Sequence, residues 1–156
     1  MPQSFASVTL QIVFSTKDRE PWLRDEWAPR VHAYLATVCR KETGIVFAVG
    51  GVEDHVHIAT VLPRTVCIAD VVEKVKVASS HWIKTLDSRF AGFHWQRGYG
   101  AFSTGPSGKK AMIAYVQNQV EHHRGGGGKG GKSFQEEYRG LLRKYECEWD
   151  ERYVWD

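Results

Sequence analysis

His55-Val56-His57 is the first place along the chain where side-chain type and spacing suggest chemistry. In an extended strand successive side chains alternate, so the two imidazoles share one face and Val56 takes the other. Two neutral imidazoles on a rigid element can hold a divalent cation, given a third ligand and open positions for a substrate. A lone H-x-H also fits one core histidine beside an exposed one, so the third ligand matters. A later segment offers a candidate. Ile113, Val116 and Val120 recur at helical spacing and form a stripe that must pack on the body. Tyr115, Asn118, Gln119 and His122 fall on the opposite side, with Tyr115 and Gln119 one turn apart. Taken alone, that pair reads as an exposed phenol beside a solvated amide. Taken with His55 and His57, it reads differently. A cation held by the two imidazoles and the Gln119 side-chain oxygen would polarise a phosphodiester. Tyr115, carried by the same helix, would attack phosphorus and form a phosphotyrosine link. The leaving group would be a 3′-hydroxyl, the 5′ end would stay on the protein, and the strand could be rejoined without ATP.

The elements that must position these residues are readable. Val8, Leu10, Ile12 and Phe14 alternate with Thr9, Gln11, Val13 and Ser15, which predicts a first strand with one face on the core. Trp27, Val31, Tyr34, Leu35 and Val38 then predict an amphipathic helix closed by Gly44. Residues 45–49 form a β-rich run that Gly50-Gly51 is expected to break, and residues 52–62 resume as a strand ending at Pro63. A second helix follows with Val71, Val72, Val75, Trp82, Ile83 and Leu86 inward, and with Lys74, Lys76 and Lys84 on its solvated or ligand-facing side. The segment HWQRGYGAFS (94–103) reads as strand or hairpin, and Gly105-Pro106-Ser107-Gly108 opens a third helix running to about His123. Six of the eight residues 125–132 are glycine, a flexible tether. Ser133 and Glu136 have capping-box spacing and start a C-terminal helix within a segment, 133–156, that ends in a tail. The order β-α-β-β-α-β-α-α predicts a single α+β domain over 1–156, a mainly antiparallel sheet flanked by helices.

Composition excludes several classes. At 156 residues the chain suits one globular domain, and its 42% hydrophobic and 25% charged residues argue against wholesale disorder. No apolar run approaches the roughly 20 residues needed to cross a bilayer, and the N-terminus lacks a signal-peptide pattern, so a cytosolic protein with no membrane partner is expected. Cys39, Cys67 and Cys147 are odd in number and widely spaced; buried small apolar residues are expected rather than a disulfide framework. Residues 1–132 carry 17 Lys/Arg against 11 Asp/Glu, whereas residues 133–156 carry 4 against 7. A basic body with an acidic tail is compatible with a phosphate-bearing partner.

HVH on a strand, YVQNQ on a later helix, WQRGYGAF between them and the ending DERYVWD together resemble the single-tyrosine HUH transposases of the insertion-sequence 200/605 family. The resemblance spans essentially the whole chain. It implies a ferredoxin- or RRM-like HUH nuclease fold and an enzyme that cuts and rejoins single-stranded DNA at hairpin-marked element ends. Position by position, the two HUH histidines match His55 and His57, the nucleophile matches Tyr115, and the third metal ligand matches Gln119. The cation implied is Mg²⁺, with Mn²⁺ able to substitute. The resemblance also implies a homodimer in which the tyrosine helix of one subunit can complete its partner's site, and a bacterial, nucleoid-associated location. A sheet edge near the first strand is the expected dimer interface. The tether is unusually glycine-rich for the family.

Further residues carry weaker expectations. Lys74, Lys76, Ser79, Ser80, Arg97, Lys109 and Lys110 are candidates for contacts to phosphates or a hairpin stem, against an ordinary charged surface. Trp95, Tyr99 and Phe102 are candidates for base stacking, with core packing expected for at least two of them. His122 is a candidate for assisting the metal or a proton transfer, and Asp54 for orienting an imidazole. Two other functions stay open on sequence: a metal-dependent phosphoesterase using water as nucleophile, and a non-catalytic hairpin-binding protein.

Overall fold

The computed structural model describes residues 2–24, 26–124 and 131–156. Strands β1 (Thr9–Ser15), β2 (Val46–Val52), β3 (His55–Val61) and β4 (Gly100–Thr104) form one antiparallel sheet in the order β2-β3-β1-β4. Helix α1 (Trp27–Thr43) lies between β1 and β2 in the chain, and α2 (Ile68–Leu86) between β3 and β4. This is the split βαβ arrangement of the ferredoxin-like unit. Helices α3 (Lys109–Gln117), α4 (Gln119–Arg124) and α5 (Phe134–Lys144) follow. The fold is the expected α+β sandwich.

Period-2 alternation sorts the strands into two faces. Ile12, Phe14, Val56 and Ile58 join Val31, Leu35 and Cys39 of α1 and Val71, Val72, Val75 and Ile83 of α2 in the main core. The opposite face is smaller and divided. Ala59 packs with Met112 and Val116 of α3, while Val13 and Phe102 pack with Phe134, Tyr138 and Leu142 of α5. β1 is therefore buried on both faces, Gln11 and Ser15 included, rather than on one. The reason is α5, whose first turn is held by a complete capping box between Ser133 and Glu136.

Three further expectations change. Gly50-Gly51 does not break β2, which runs through both residues. A Cβ on Gly50 would stand 1.9 Å from the Val116 carbonyl oxygen, so glycine here lets α3 lie directly on the sheet. The third helix is not continuous. It stops at Asn118, whose φ of −98° and ψ of 25° leave the helical region, and restarts as α4. The turn at Asn118 takes Val120 off the packing stripe, leaving it 44% exposed, and puts Gln119 inside at 1%. Finally, β1 is an interior strand, so the sheet edges belong to β2 and β4, not to the first strand. Of the cysteines only Cys39 is buried. Among the described residues no helix is long and apolar enough to cross a membrane. The expected tether falls largely on residues 125–130, outside the described residues.

Candidate active site

β3 turns His55 and His57 onto the face away from α1 and α2, and both are fully buried, with ring centroids 5.2 Å apart. Each ring is held from behind. The His55 Nδ1 lies 2.6 Å from Asp54 Oδ1, as the acceptor role for Asp54 requires, and the His57 Nδ1 lies 3.0 Å from Gln11 Oε1 on the neighbouring strand. With both Nδ1 atoms against those oxygens, both Nε2 atoms face the same space. α4 brings Gln119, whose side-chain nitrogen donates to the Tyr115 carbonyl at 3.2 Å and so turns its oxygen inward. That oxygen is 3.3 Å from His55 Nε2 and 3.1 Å from His123 Nε2. His123 Nδ1 in turn donates to the Lys132 carbonyl.

The fourth side chain of this cluster comes from α5. Glu137 Oε1 lies 2.9 Å from His57 Nε2, 3.3 Å from His55 Nε2 and 3.2 Å from His123 Nε2. Its other oxygen accepts the Tyr115 hydroxyl proton. The Tyr115 ring lies edge-on to His57, with centroids 5.7 Å apart. His55, His57, Tyr115 and Gln119 are thus brought together within one chain, as are two residues the sequence reading did not place there, His123 and Glu137. Glu137 carried a signal: with Phe134, Tyr138 and Leu141 it sits at the i, i+3, i+4, i+7 positions of the apolar stripe of α5. A carboxylate on such a stripe needs a buried partner. His122 was the other candidate in this region, and its side chain lies outside the described residues.

Electrostatics separate the groups. Burial opposes charge on His55, but the Asp54 and Glu137 carboxylates outweigh it and push its pKa up to about 9. Burial holds His57 down to about 4, against the pull of Glu137. Burial alone would favour protonated Glu137, yet the hydrogen bonds from His123, His55 and His57 keep its carboxyl far below the usual range. The Tyr115 hydroxyl is raised above the ordinary phenol value by burial and by the Glu137 charge. His55, His57, His123 and Glu137 offer ligand atoms all within 4.8 Å of one another. An ion bonded at about 2.1 Å spaces adjacent ligands roughly 3 Å apart, so the donor separations fit a divalent cation.

A cavity of about 450 Å³ opens beside Tyr115 and Glu137, bordered by Gln11, Gly108, Lys132 and Lys144. Lys132 and Lys144 line the same cavity as the phenol, a setting for an anionic substrate.

The family model for IS200-like transposases matches residues 4–119. The chain belongs to that family. Two solved structures share the fold of this IS200-like transposase. One is described as a candidate transposase from Deinococcus radiodurans R1, with a TM-score of 0.59 and 20% identity, over 76% of this chain and 95% of that one. The other is a REP-associated tyrosine transposase bound to a REP hairpin, with a TM-score of 0.53 and 13% identity, over 74% of this chain and 68% of that one. No curated protein matches the chain. The matched segment contains His55, His57 and Tyr115 and ends on Gln119; His123 and Glu137 lie beyond it.

The remaining candidates scatter. α2 lies on the opposite face of the sheet from the cluster, and with it Lys74, Lys76, Ser79 and Ser80. The half-buried Lys76 ammonium donates to the carbonyls of Gln96, Arg97 and Gly98 at 2.8, 3.2 and 2.6 Å and fixes that loop. Ser79 is buried and accepts the Trp95 indole proton. Trp95 and Phe102 are core residues, while Tyr99 stays 36% exposed. It lines a groove with Ser80, His81, Lys84, His94 and Arg97. Lys74 pairs with Glu42 on the surface. Lys109 and Lys110 begin the helix that carries Tyr115, and Lys109 covers the Phe47 ring at 4.1 Å.

Proposed function

We propose that the protein cleaves and rejoins single-stranded DNA at hairpin-marked element ends through a 5′-phosphotyrosine intermediate. The observation that carries this reading is the Tyr115 hydroxyl standing on the carboxylate of Glu137, beside His57, at the edge of a cavity. A nucleophile, a proton acceptor and a cluster able to hold a cation thereby share one space. As Tyr115 Oη bonds to phosphorus, its proton passes to Glu137 Oε2. The bond to the 3′-oxygen breaks, and that oxygen takes up a proton from water. Attack by the freed 3′-hydroxyl of a second strand on the phosphotyrosine reverses the step and rejoins DNA. His55, His57 and Gln119 would hold a divalent cation, Mg²⁺ or Mn²⁺ by the family resemblance. Held there, it would supply Lewis-acid stabilisation of the charge that develops on the phosphate.

A solved neighbour that binds a REP hairpin supports a hairpin as partner. Phosphate contacts are assigned to Lys74, Arg97, Lys109 and Lys110, and the homodimer and bacterial nucleoid location belong to the same reading. The test is incubation with single-stranded DNA carrying the element-end hairpin, with Mg²⁺ or EDTA, followed by a denaturing gel. A metal-dependent adduct absent from Tyr115→Phe is expected. Cleavage that survives Tyr115→Phe without any adduct would replace the transferase with a water-using hydrolase. Hairpin binding with no cleavage would leave a binding protein.

A further inference from the structure

The sequence motif supplies three ligands, yet five donor atoms converge in the site. They are the Nε2 atoms of His55, His57 and His123, the Gln119 side-chain oxygen and Glu137 Oε1. All three imidazoles have Nδ1 against an oxygen: Asp54, Gln11 and the Lys132 carbonyl. That arrangement turns Nε2 of each ring toward the centre, where it hydrogen-bonds Glu137 and would instead bind a cation after giving up its proton. Gln119 is turned oxygen-inward by its own hydrogen bond to the Tyr115 carbonyl. What faces the centre is therefore a set of ligand atoms, four of them within 4.8 Å of one another, that a cation could gather in exchange for the imidazole protons. Two of the five donors, His123 and Glu137, lie outside the residues 4–119 that match the family.

We propose that this chain builds a three-histidine, one-glutamate, one-glutamine centre that selects a first-row transition cation over Mg²⁺, with the C-terminal helix supplying the carboxylate. This rests on the cluster being a divalent-cation site, as proposed above. Mg²⁺ favours hard oxygen donors and retains most of its water, whereas imidazole nitrogen favours the later cations. A centre with three imidazoles leaves Mg²⁺ only two oxygen donors from the protein. Glu137 binds through Oε1 while its Oε2 stays with Tyr115, so the ligand that completes the centre also touches the nucleophile.

Metal binding by the full chain, chelator-stripped and without DNA, tests the proposal. Co²⁺ is titrated by its visible d–d absorption and then challenged with Mg²⁺. The expected result is a Co²⁺ spectrum that survives about a hundredfold excess of Mg²⁺. Glu137→Gln and His123→Ala are each expected to weaken Co²⁺ binding by about tenfold or more. Far-UV circular dichroism checks that both variants fold. The Mg²⁺ challenge needs only the natural sequence and stands if they do not. Displacement of Co²⁺ by Mg²⁺ overturns the selectivity, and unchanged binding by both folded variants overturns the ligand set. Absence of binding by any divalent cation sinks this centre and the metal-assisted reading together. A missing DNA adduct with Co²⁺ bound leaves the centre intact and sinks only the strand-transfer reading.

Discussion

Which nitrogen of each imidazole carries the proton decides what the site can hold. Asp54 and Gln11 make that choice for His55 and His57 without pointing into the centre themselves. Asp54→Ala is expected to lower cation affinity about 10–100-fold while leaving the melting curve cooperative, read by the same Co²⁺ titration. A separate histidine adds to the acid sensitivity that buried His57 already implies. His32 Nε2 is buried with no hydrogen-bond partner among the described residues, and burial, helped by the nearby His55, lowers its pKa to about 4 from an ordinary 6.5. Between those values the unfolded chain binds the proton and the folded one does not, so stability falls as pH drops through that window. Denaturant unfolding at pH 7 and pH 5 should show a smaller acid loss in His32→Leu than in the natural protein. Equal losses would assign the acid limb to other groups.

Helices and strands place these side chains to within a turn, and their failures are instructive. Gly50→Ala drives a Cβ into the Val116 carbonyl. A loss of about 1–3 kcal/mol is expected from such overpacking, with a weaker DNA adduct because the Tyr115 helix is pushed off the sheet. Removing the α5 cap by Ser133→Ala should cost about 1 kcal/mol in thermal unfolding. The capping box was legible because Ser133 and Glu136 are local, as were the two long helices and the strand bearing His55 and His57. Gly50 was misread because the helix that requires it comes some 60 residues later in the chain. Val120 was placed on a continuous stripe because nothing in its composition announces the turn at Asn118. Glu137 lies on the apolar stripe of α5, but in so charged a helix that position marks burial only once the fold places three imidazoles against it.

Across the whole molecule, one face of the sheet serves stability and the other serves chemistry. α1 and α2 close the first with an apolar core, while α3, α4 and α5 enclose the second around the cluster. The groove between α2 and the 94–99 loop, which Arg97 lines, therefore stands on the far side from Tyr115. Hairpin binding and strand cleavage should be separable. Arg97→Ala is expected to weaken hairpin affinity and reduce the salt slope by about 1, measured by titration at several ionic strengths. The rate of adduct formation at saturating DNA should stay unchanged. Sedimentation is expected to report a homodimer. With β1 interior, its contacts must use the β2 or β4 edge or a helical surface.

The hydrogen bond between His57 and Glu137 spans 80 residues of chain. Closing so long a loop costs entropy before any contact repays it, so this junction forms late, after the strands and helices that flank it have met. Interactions absent from the folding barrier act on escape from the native state rather than on arrival. A cation bound at the cluster should therefore behave as a clasp: stopped-flow refolding would keep its rate when the ion is chelated, while unfolding would quicken.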